Sequence, residues 1–133
     1  SSAIITELNA CSSKIEAVTG EKPTLFRCPY GEYDDHVISA VNSIGMTAIQ
    51  WDVDSRDWKK PAPEEMVKNG TESVRKGSIL LFHSGLDVTD SSIGEILEKL
   101  QNEGYSFVTV SELIYKSDFT IDNSGRQHSV SKK

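Results

Sequence analysis

"GSILLFHS", residues 77–84, decides how the chain is read. Ile79, Leu80, Leu81 and Phe82 follow one another without polar alternation, as in a strand covered on both faces. Such strands belong to parallel sheets whose connections are helices. The flanking sequence supplies those helices. Upstream, Pro63 suits the first turn of a helix bearing Met66, Val67 and Val74 and closed near Gly77, with Gly70 as a weak point inside it. Before that come the strand "MTAIQW", and a helix capped by Asp34 and Asp35 that carries Val37, Ile38, Val41 and Ile44 on one face and ends at Gly45. "TLFRC" after Pro23 is a further short strand. Residues 4–19 place Ile4, Ile5, Leu8, Cys11, Ile15 and Val18 at helical spacing, closed by Gly20. Downstream, residues 91–103 read as a helix with Ile93, Ile96, Leu97 and Leu100 inward and Gly104 as its stop. "YSFVTV" reads as another strand, and "SELIY" as a short helix capped by Ser111.

The order α-β-α-β-α-β-α-β-α implies an α/β fold with parallel strands and right-handed crossovers, a layer or part of a barrel. It opens on a helix and has fewer strands than a complete barrel. Residues 116–133, "KSDFTIDNSGRQHSVSKK", show no period and read as an extended tail, flexible unless docked.

A chain of 133 residues with 37% hydrophobic and 26% charged residues suits one domain with a useful core. No stretch reaches the roughly 18 apolar residues of a membrane span. A net charge of −6, with basic residues scattered apart from the terminal "VSKK", argues against nucleic acid as a partner. Cys11 and Cys28 fit no metal or redox spacing, so buried or half-buried thiols are expected rather than a disulfide. Asn69-Gly70-Thr71 matches a glycosylation sequon, a pattern common by chance.

In parallel α/β folds, sites gather at the C-terminal ends of strands. The first strand here ends in Arg27-Cys28-Pro29-Tyr30-Gly31, the second runs into "WDVDSRDW", residues 51–58, and the third ends in Leu81-Phe82-His83. Singly, each has a plain reading: a surface arginine and a turn, a solvated acidic loop, a structural histidine. The acidic loop also resembles a calcium loop. However, Asp57 stands in the sixth place, which needs glycine, and Pro63 in the twelfth, which needs glutamate. Jointly, an arginine, a carboxylate cluster and a histidine at successive strand ends would face one rim.

These segments resemble the NodB-type polysaccharide deacetylases, carbohydrate esterase family four. Arg27 to Gly31 resembles the family's R-x-P-Y-G, Asp54 to Trp58 its D-x-x-D-W, and Leu81 to His83 its L-x-H. The order and spacing match over residues 4–115, and the wording is most similar to the spore-former branch that acts on peptidoglycan. The resemblance implies the C-terminal part of a distorted (β/α) barrel, with residues 1–115 as the deacetylase portion and 116–133 as the tail. It implies metal-dependent removal of N-acetyl groups from peptidoglycan or a related N-acetylated glycan, and hence an extracellular or cell-wall location. By the same resemblance His83 is the general acid, Asp57 orients it, Arg27 holds a catalytic aspartate ionised, and the Tyr30 backbone N–H is the oxyanion donor. Pro29, Trp58 and Leu81 line the acetyl site.

Two departures stand out. Cysteine occupies position 28, where proline is common. The family's acidic pair and H-x-x-x-H-like ligands do not precede Arg27. The divalent metal, expected to be zinc, and the base are therefore expected from an N-terminal half present as a second chain or fragment, with no metal ligand in this chain. The chain alone is expected to be inactive and to associate stably with that half. O-deacetylation of xylan on the same fold, and a non-catalytic glycan-binding remnant, are the alternatives.

Overall fold

The computed structural model describes residues 2–130. Ser1 and residues 131–133, which include both lysines of "VSKK", lie outside the described residues. The chain divides into two compact units, Ser1–Gln50 and Trp51–Lys133.

The first unit begins with helix α1 (Ser2–Thr19), followed by strand β1 (Leu25–Arg27), helix α2 (Asp35–Ser43) and strand β2 (Thr47–Ile49). The two strands pair in parallel, Leu25 opposite Thr47 and Arg27 opposite Ile49, so α2 is the crossover that the sequence pattern requires. Asp34 caps α2: its carboxylate accepts the Val37 N–H at 2.9 Å, satisfying an amide that the helix itself leaves open. The core of this unit joins Leu8 of α1 to Val41 of α2 and Met46, with Phe26 and Ala48 packed against them. The apolar spacing of α1 overstates its burial. Leu8 and Ser12 are its buried residues, whereas Ile15 is exposed and Val18 is 87% exposed. Both cysteines are free thiols, Cys28 buried and Cys11 exposed, and burial pushes the Cys28 thiol up from its ordinary value.

The second unit holds strand β3 (Val53–Asp54), helix α3 (Pro63–Thr71), strand β4 (Leu80–Leu81), helix α4 (Asp87–Asn102) and helix α5 (Val110–Leu113). Strands β5 (Phe119–Ile121) and β6 (Gln127–Ser129) close it. β3 lies in what reads from sequence as a polar loop. It pairs in parallel with β4, Val53 opposite Leu80 and Asp54 opposite Leu81. Met66 and Val67 of α3 pack against Ile96 and Leu100 of α4. The glycine inside α3 now has a reason: a Cβ at Gly70 would lie 2.9 Å from Ile96 Cδ1, so the close approach of α4 excludes a side chain there. The sequon is accordingly part of a packed helix, with Gly70 and Thr71 buried.

Three sequence-based expectations fail in this unit. Residues 105–110 form no strand; Tyr105 to Thr109 are irregular and Val110 already begins α5, while Phe107 and Val108 are exposed. An apolar run becomes a strand only beside a pairing neighbour, and the described residues provide none. The cap of α5 is Thr109 rather than Ser111, because Glu112 returns to Thr109 in a capping box. Within the stretch read as an extended tail, 116–133, residues 119–129 instead form the antiparallel β5–β6 hairpin, with Phe119 opposite Ser129, and 131–133 lie outside the described residues. The turn is organised by Asp122, whose Oδ1 accepts from Ser124 and from the Arg126 N–H. Arg126 then donates from Nη2 to Asp52 at 2.7 Å and from Nη1 to the Lys76 carbonyl at 3.0 Å.

Parallel pairs with helical crossovers make this an α/β chain, with an antiparallel hairpin added at its end. Among the described residues no helix is long and apolar enough to cross a membrane.

Candidate active site

The second unit builds its site where the β3–β4 ladder stops. The Ser55 N–H still reaches the Leu81 carbonyl at 3.3 Å. Beyond that point the chain turns through a short 3-10 segment, Asp57–Lys59, bounded by left-handed residues Arg56 (φ 56°) and Lys60 (φ 53°). Each left-handed non-glycine residue costs roughly 1–2 kcal/mol, so this turn is held by its surroundings and not by local preference. The holding contacts are visible. Asp54 accepts the Arg56 N–H at 2.8 Å, and Asn69 of α3 donates to the Ser55 carbonyl at 3.2 Å.

The turn delivers Asp57 into the interior, where the residue is 0% exposed. Its Oδ2 accepts the His83 backbone N–H at 2.6 Å and the Thr89 hydroxyl at 2.7 Å, and its Oδ1 lies 2.7 Å from His83 Nδ1. Burial by itself would raise the Asp57 carboxyl. The His83 amide, the His83 ring and the Thr89 hydroxyl together outweigh that and hold it below the ordinary carboxylate value. An ionised carboxylate only accepts, so the network assigns the Nδ1 proton to His83. Nε2 is then the ring nitrogen not engaged by Asp57, on a side chain that is 43% exposed.

The other acidic residues of this loop are committed elsewhere. Asp52 accepts from Ser78, from the Ile79 N–H and from Arg126, and Asp54 caps the turn. Among the described residues no three of His, Cys, Asp and Glu converge where they could hold a metal ion. The residues present therefore do not fit the divalent metal that the resemblance implies.

Trp58 stands on the same 3-10 segment, 55% exposed, with Lys59 Nζ 5.0 Å from its ring centroid. Leu81 is a buried residue of β4. A cavity of about 240 Å³ is lined by Lys60, Gly85, Leu86, Asp87 and Val88; His83, Trp58 and Leu81 are not in its lining. In the first unit, Arg27 ends β1, and Pro29–Gly31 form a 3-10 turn. Tyr30 there adopts φ 56° and ψ 6°, and its side chain is 96% exposed. Gln50 steadies the turn by donating to the Gly31 carbonyl at 3.1 Å.

Sequence reasoning placed Asp57 and His83 but missed Thr89. The sequence pattern starts this helix at residue 91, which leaves Thr89 outside it, whereas α4 begins at Asp87. Its inward face is Thr89, Ser92, Ile96 and Leu100, and Leu97, expected inward, is exposed. The three- and four-residue steps back from Leu100 were the signal that would have found it.

Residues 1–49 match the polysaccharide deacetylase family model. The chain is 35% identical over 99 residues to a peptidoglycan-N-acetylglucosamine deacetylase of Bacillus cereus, covering 71% of this chain and 46% of that protein. It is also 35% identical over 99 residues to a bifunctional xylanase/xylan deacetylase of Cellvibrio japonicus, covering 74% of this chain and 15% of that protein. Its fold matches a carbohydrate esterase family 4 pseudoenzyme of Bacillus anthracis with a TM-score of 0.79 and 30% identity, over 83% of this chain and 39% of that one. The chain thus spans less than half the length of each of these proteins. Its sequence and its fold agree in their likeness to the polysaccharide deacetylase family, whose model matches residues 1–49.

Proposed function

We propose that the chain supplies the proton-donating side of a hydrolase that removes N-acetyl groups from peptidoglycan or a related N-acetylated glycan. The observation that carries this reading is the buried Asp57 carboxylate set 2.7 Å from Nδ1 of a half-exposed His83. An ionised aspartate at that distance accepts the Nδ1 proton and fixes the ring, leaving Nε2 as the nitrogen that meets the substrate. As the tetrahedral intermediate collapses, the C–N bond breaks and the departing amine takes the proton from His83 Nε2, leaving acetate and a free amino sugar. Asp57 stays ionised and keeps the Nδ1 proton on the ring, so the proton that moves is the one on Nε2. Trp58 offers an aromatic wall for the sugar or acetyl group, and Leu81 is assigned to the same pocket. To the first unit we assign the oxyanion donor, the Tyr30 backbone N–H, and Arg27 as the partner of a catalytic aspartate; Pro29 fixes the turn that presents that amide.

Deacetylases of this family are generally metal-dependent. The metal, zinc in this proposal, and the base that activates water are assigned to residues outside this chain. That assignment agrees with the small share of its relatives' length that the chain covers. Residues 1–115 would form the deacetylase portion, within the C-terminal part of a distorted barrel. A cell-wall or extracellular location is in keeping with relatives named as peptidoglycan deacetylases. Two further readings have specific support: a xylan deacetylase is among the relatives, and a pseudoenzyme is among the structural neighbours.

The test is acetate release with zinc from N-acetylated chito-oligosaccharides, peptidoglycan and O-acetylated xylan. It would use the chain alone and the chain combined with a segment carrying an aspartate pair and two histidines. The chain alone should be inactive and the combination active on the N-acetylated substrates, with His83→Ala losing about 10²–10⁴-fold. Equal release by His83→Ala removes the acid role. Release from xylan alone selects the esterase, and no release in any combination selects the non-catalytic reading.

A further inference from the structure

We propose that Thr89 is a positioning residue, whose hydroxyl fixes the Asp57 carboxylate so that Oδ1 is presented to the His83 ring. The proposal rests on the reading of His83 as the proton donor for its consequence in catalysis, and on geometry for the positioning itself. A carboxylate turns easily about its last torsion, and its two oxygens are equivalent until their partners distinguish them. Here they are distinguished. Oδ1 takes the ring nitrogen, while Oδ2 takes the His83 amide and the Thr89 hydroxyl. The amide belongs to the same residue as the ring, so by itself it lets aspartate and histidine shift together. Thr89 comes from another element, 32 positions along the chain from Asp57. It shares the buried face of α4 with Ile96 and Leu100, which sit in the unit's core. The hydroxyl thereby ties the carboxylate to a helix anchored in the unit's hydrophobic core. Its acceptor is charged, which makes the bond stronger than one between neutral groups.

Two neighbouring facts separate this contact from ordinary helix chemistry. Threonine in a helix commonly returns its hydroxyl to a backbone carbonyl one turn earlier, as Thr71 does to Val67 at 2.8 Å. Thr89 instead points away from its own helix toward Asp57. Ser92, three residues further along the same face, has a buried hydroxyl with no partner among the described residues. It is the natural control for losing a hydroxyl from this face.

The experiment is proton NMR of the His83 Nδ1–H signal in the 133-residue chain, with Thr89→Val, Thr89→Ser and Ser92→Ala beside the parent. Valine keeps the volume and loses the hydroxyl; serine keeps the hydroxyl and loses the methyl. A positioning role predicts a downfield, exchange-protected signal in the parent, Thr89→Ser and Ser92→Ala, with solvent exchange about tenfold or more faster in Thr89→Val. A packing role predicts the reverse order of the two Thr89 variants. The reverse order, equal protection in all four chains, or no protected signal in the parent overturns the proposal. Should Thr89→Val fail to fold, Thr89→Ser decides: a retained signal supports the hydroxyl's role, and a lost one overturns it. Acetate release measured separately on the active combination distinguishes the two layers. The functional reading can fail there while the NMR order holds, and the NMR order can fail while His83→Ala still abolishes release.

Discussion

Tyr30 and Asp57 each follow a strand on a short 3-10 turn, and the fold treats them in opposite ways. Tyr30 is almost wholly exposed and held at φ 56°; Asp57 is wholly buried and accepts from three donors. The difference follows from which part of each residue the proposed chemistry uses. A backbone N–H is aimed by φ and ψ, so the side chain of Tyr30 can remain in water while the turn carries the strain. A carboxylate that orients an imidazole must keep one rotamer and one protonation state, and burial among donors secures both. The family likeness in sequence does not reveal this contrast, because the motif letters give both residues equal weight.

The largest effect that can break the comparison is on stability. Asp57→Ala removes one partner of a buried pair and leaves the Thr89 hydroxyl and the His83 amide without an acceptor, and should destabilise the chain by about 3 kcal/mol. Tyr30→Ala should stay within about 0.5 kcal/mol. Denaturant unfolding of the two variants measures both values, and equal losses would mean that exposure and burial do not separate the two turns.

Next in size is the response to acid. The Asp57 carboxyl lies below its ordinary value of 3.8 in the folded chain, because the donors outweigh a burial effect of opposite sign. A carboxylate depressed in the folded state stabilises it above the ordinary value, and that contribution fades as pH falls below 3.8 toward the lower folded value. The parent should therefore lose stability on acidification through this range, and Asp57→Asn should flatten the loss. Asp34, Glu112 and, most strongly, Asp122 are also depressed, by a cap, a capping box and the donors of the β5–β6 turn, so some slope must remain in the variant. A profile for Asp57→Asn that superimposes on the parent's would show that the buried carboxylate is not the main acid-sensitive group.

Much of this arrangement was legible in the sequence, and the parts that were not share a cause. Helical spacing located α1, α2 and α3, and Asp34 and Pro63 marked two of their starts correctly. The pattern "SILLF" located β4 and the parallel pairing. What local pattern could not supply was the partner. Residues 105–110 have strand composition but no neighbouring strand, whereas Val53–Asp54, in a run of aspartates, becomes a strand because β4 is beside it. Asp57 and His83 stand out in the sequence because a motif names them. The period of α4 reaches back to Thr89 once the helix start is set at Asp87, but no local period encodes its acceptor, 32 positions away. The hairpin at the end was hidden in the same way, since Arg126 and Asp52 are 74 positions apart.

A smaller effect of opposite sign tests the exposed turn. Tyr30→Gly relieves a left-handed conformation worth roughly 1–2 kcal/mol, against a glycine backbone cost of roughly 0.5–1 kcal/mol. The net should be a stabilisation of about 0.5 kcal/mol in thermal unfolding. A clear destabilisation would mean that the tyrosine ring has a packing role that its exposure conceals.

The smallest effect extends the comparison to the hairpin, which is held from outside as the Asp57 turn is held from inside. Arg126 joins β5–β6 to Asp52 and to the Lys76 carbonyl, through side chains that are about a quarter exposed (22% for Arg126 and 30% for Asp52). A partly exposed ion pair contributes about 0–1 kcal/mol, and Asp52 retains Ser78, the Ile79 N–H and Arg75 when the arginine is gone. Arg126→Ala should therefore leave global unfolding within about 0.5–1 kcal/mol of the parent. The change should appear locally, as faster hydrogen exchange at the amides of β5 and β6 with those of α3 and α4 unaltered. Added salt should weaken the parent's hairpin protection and bring it toward the variant's, because screening reaches this pair and not the buried one. If exchange instead quickened in α3 and α4, the hairpin would be a structural brace of the unit. If it quickened nowhere, the hairpin would owe its place to its own turn and ladder, and Arg126 would only decorate it.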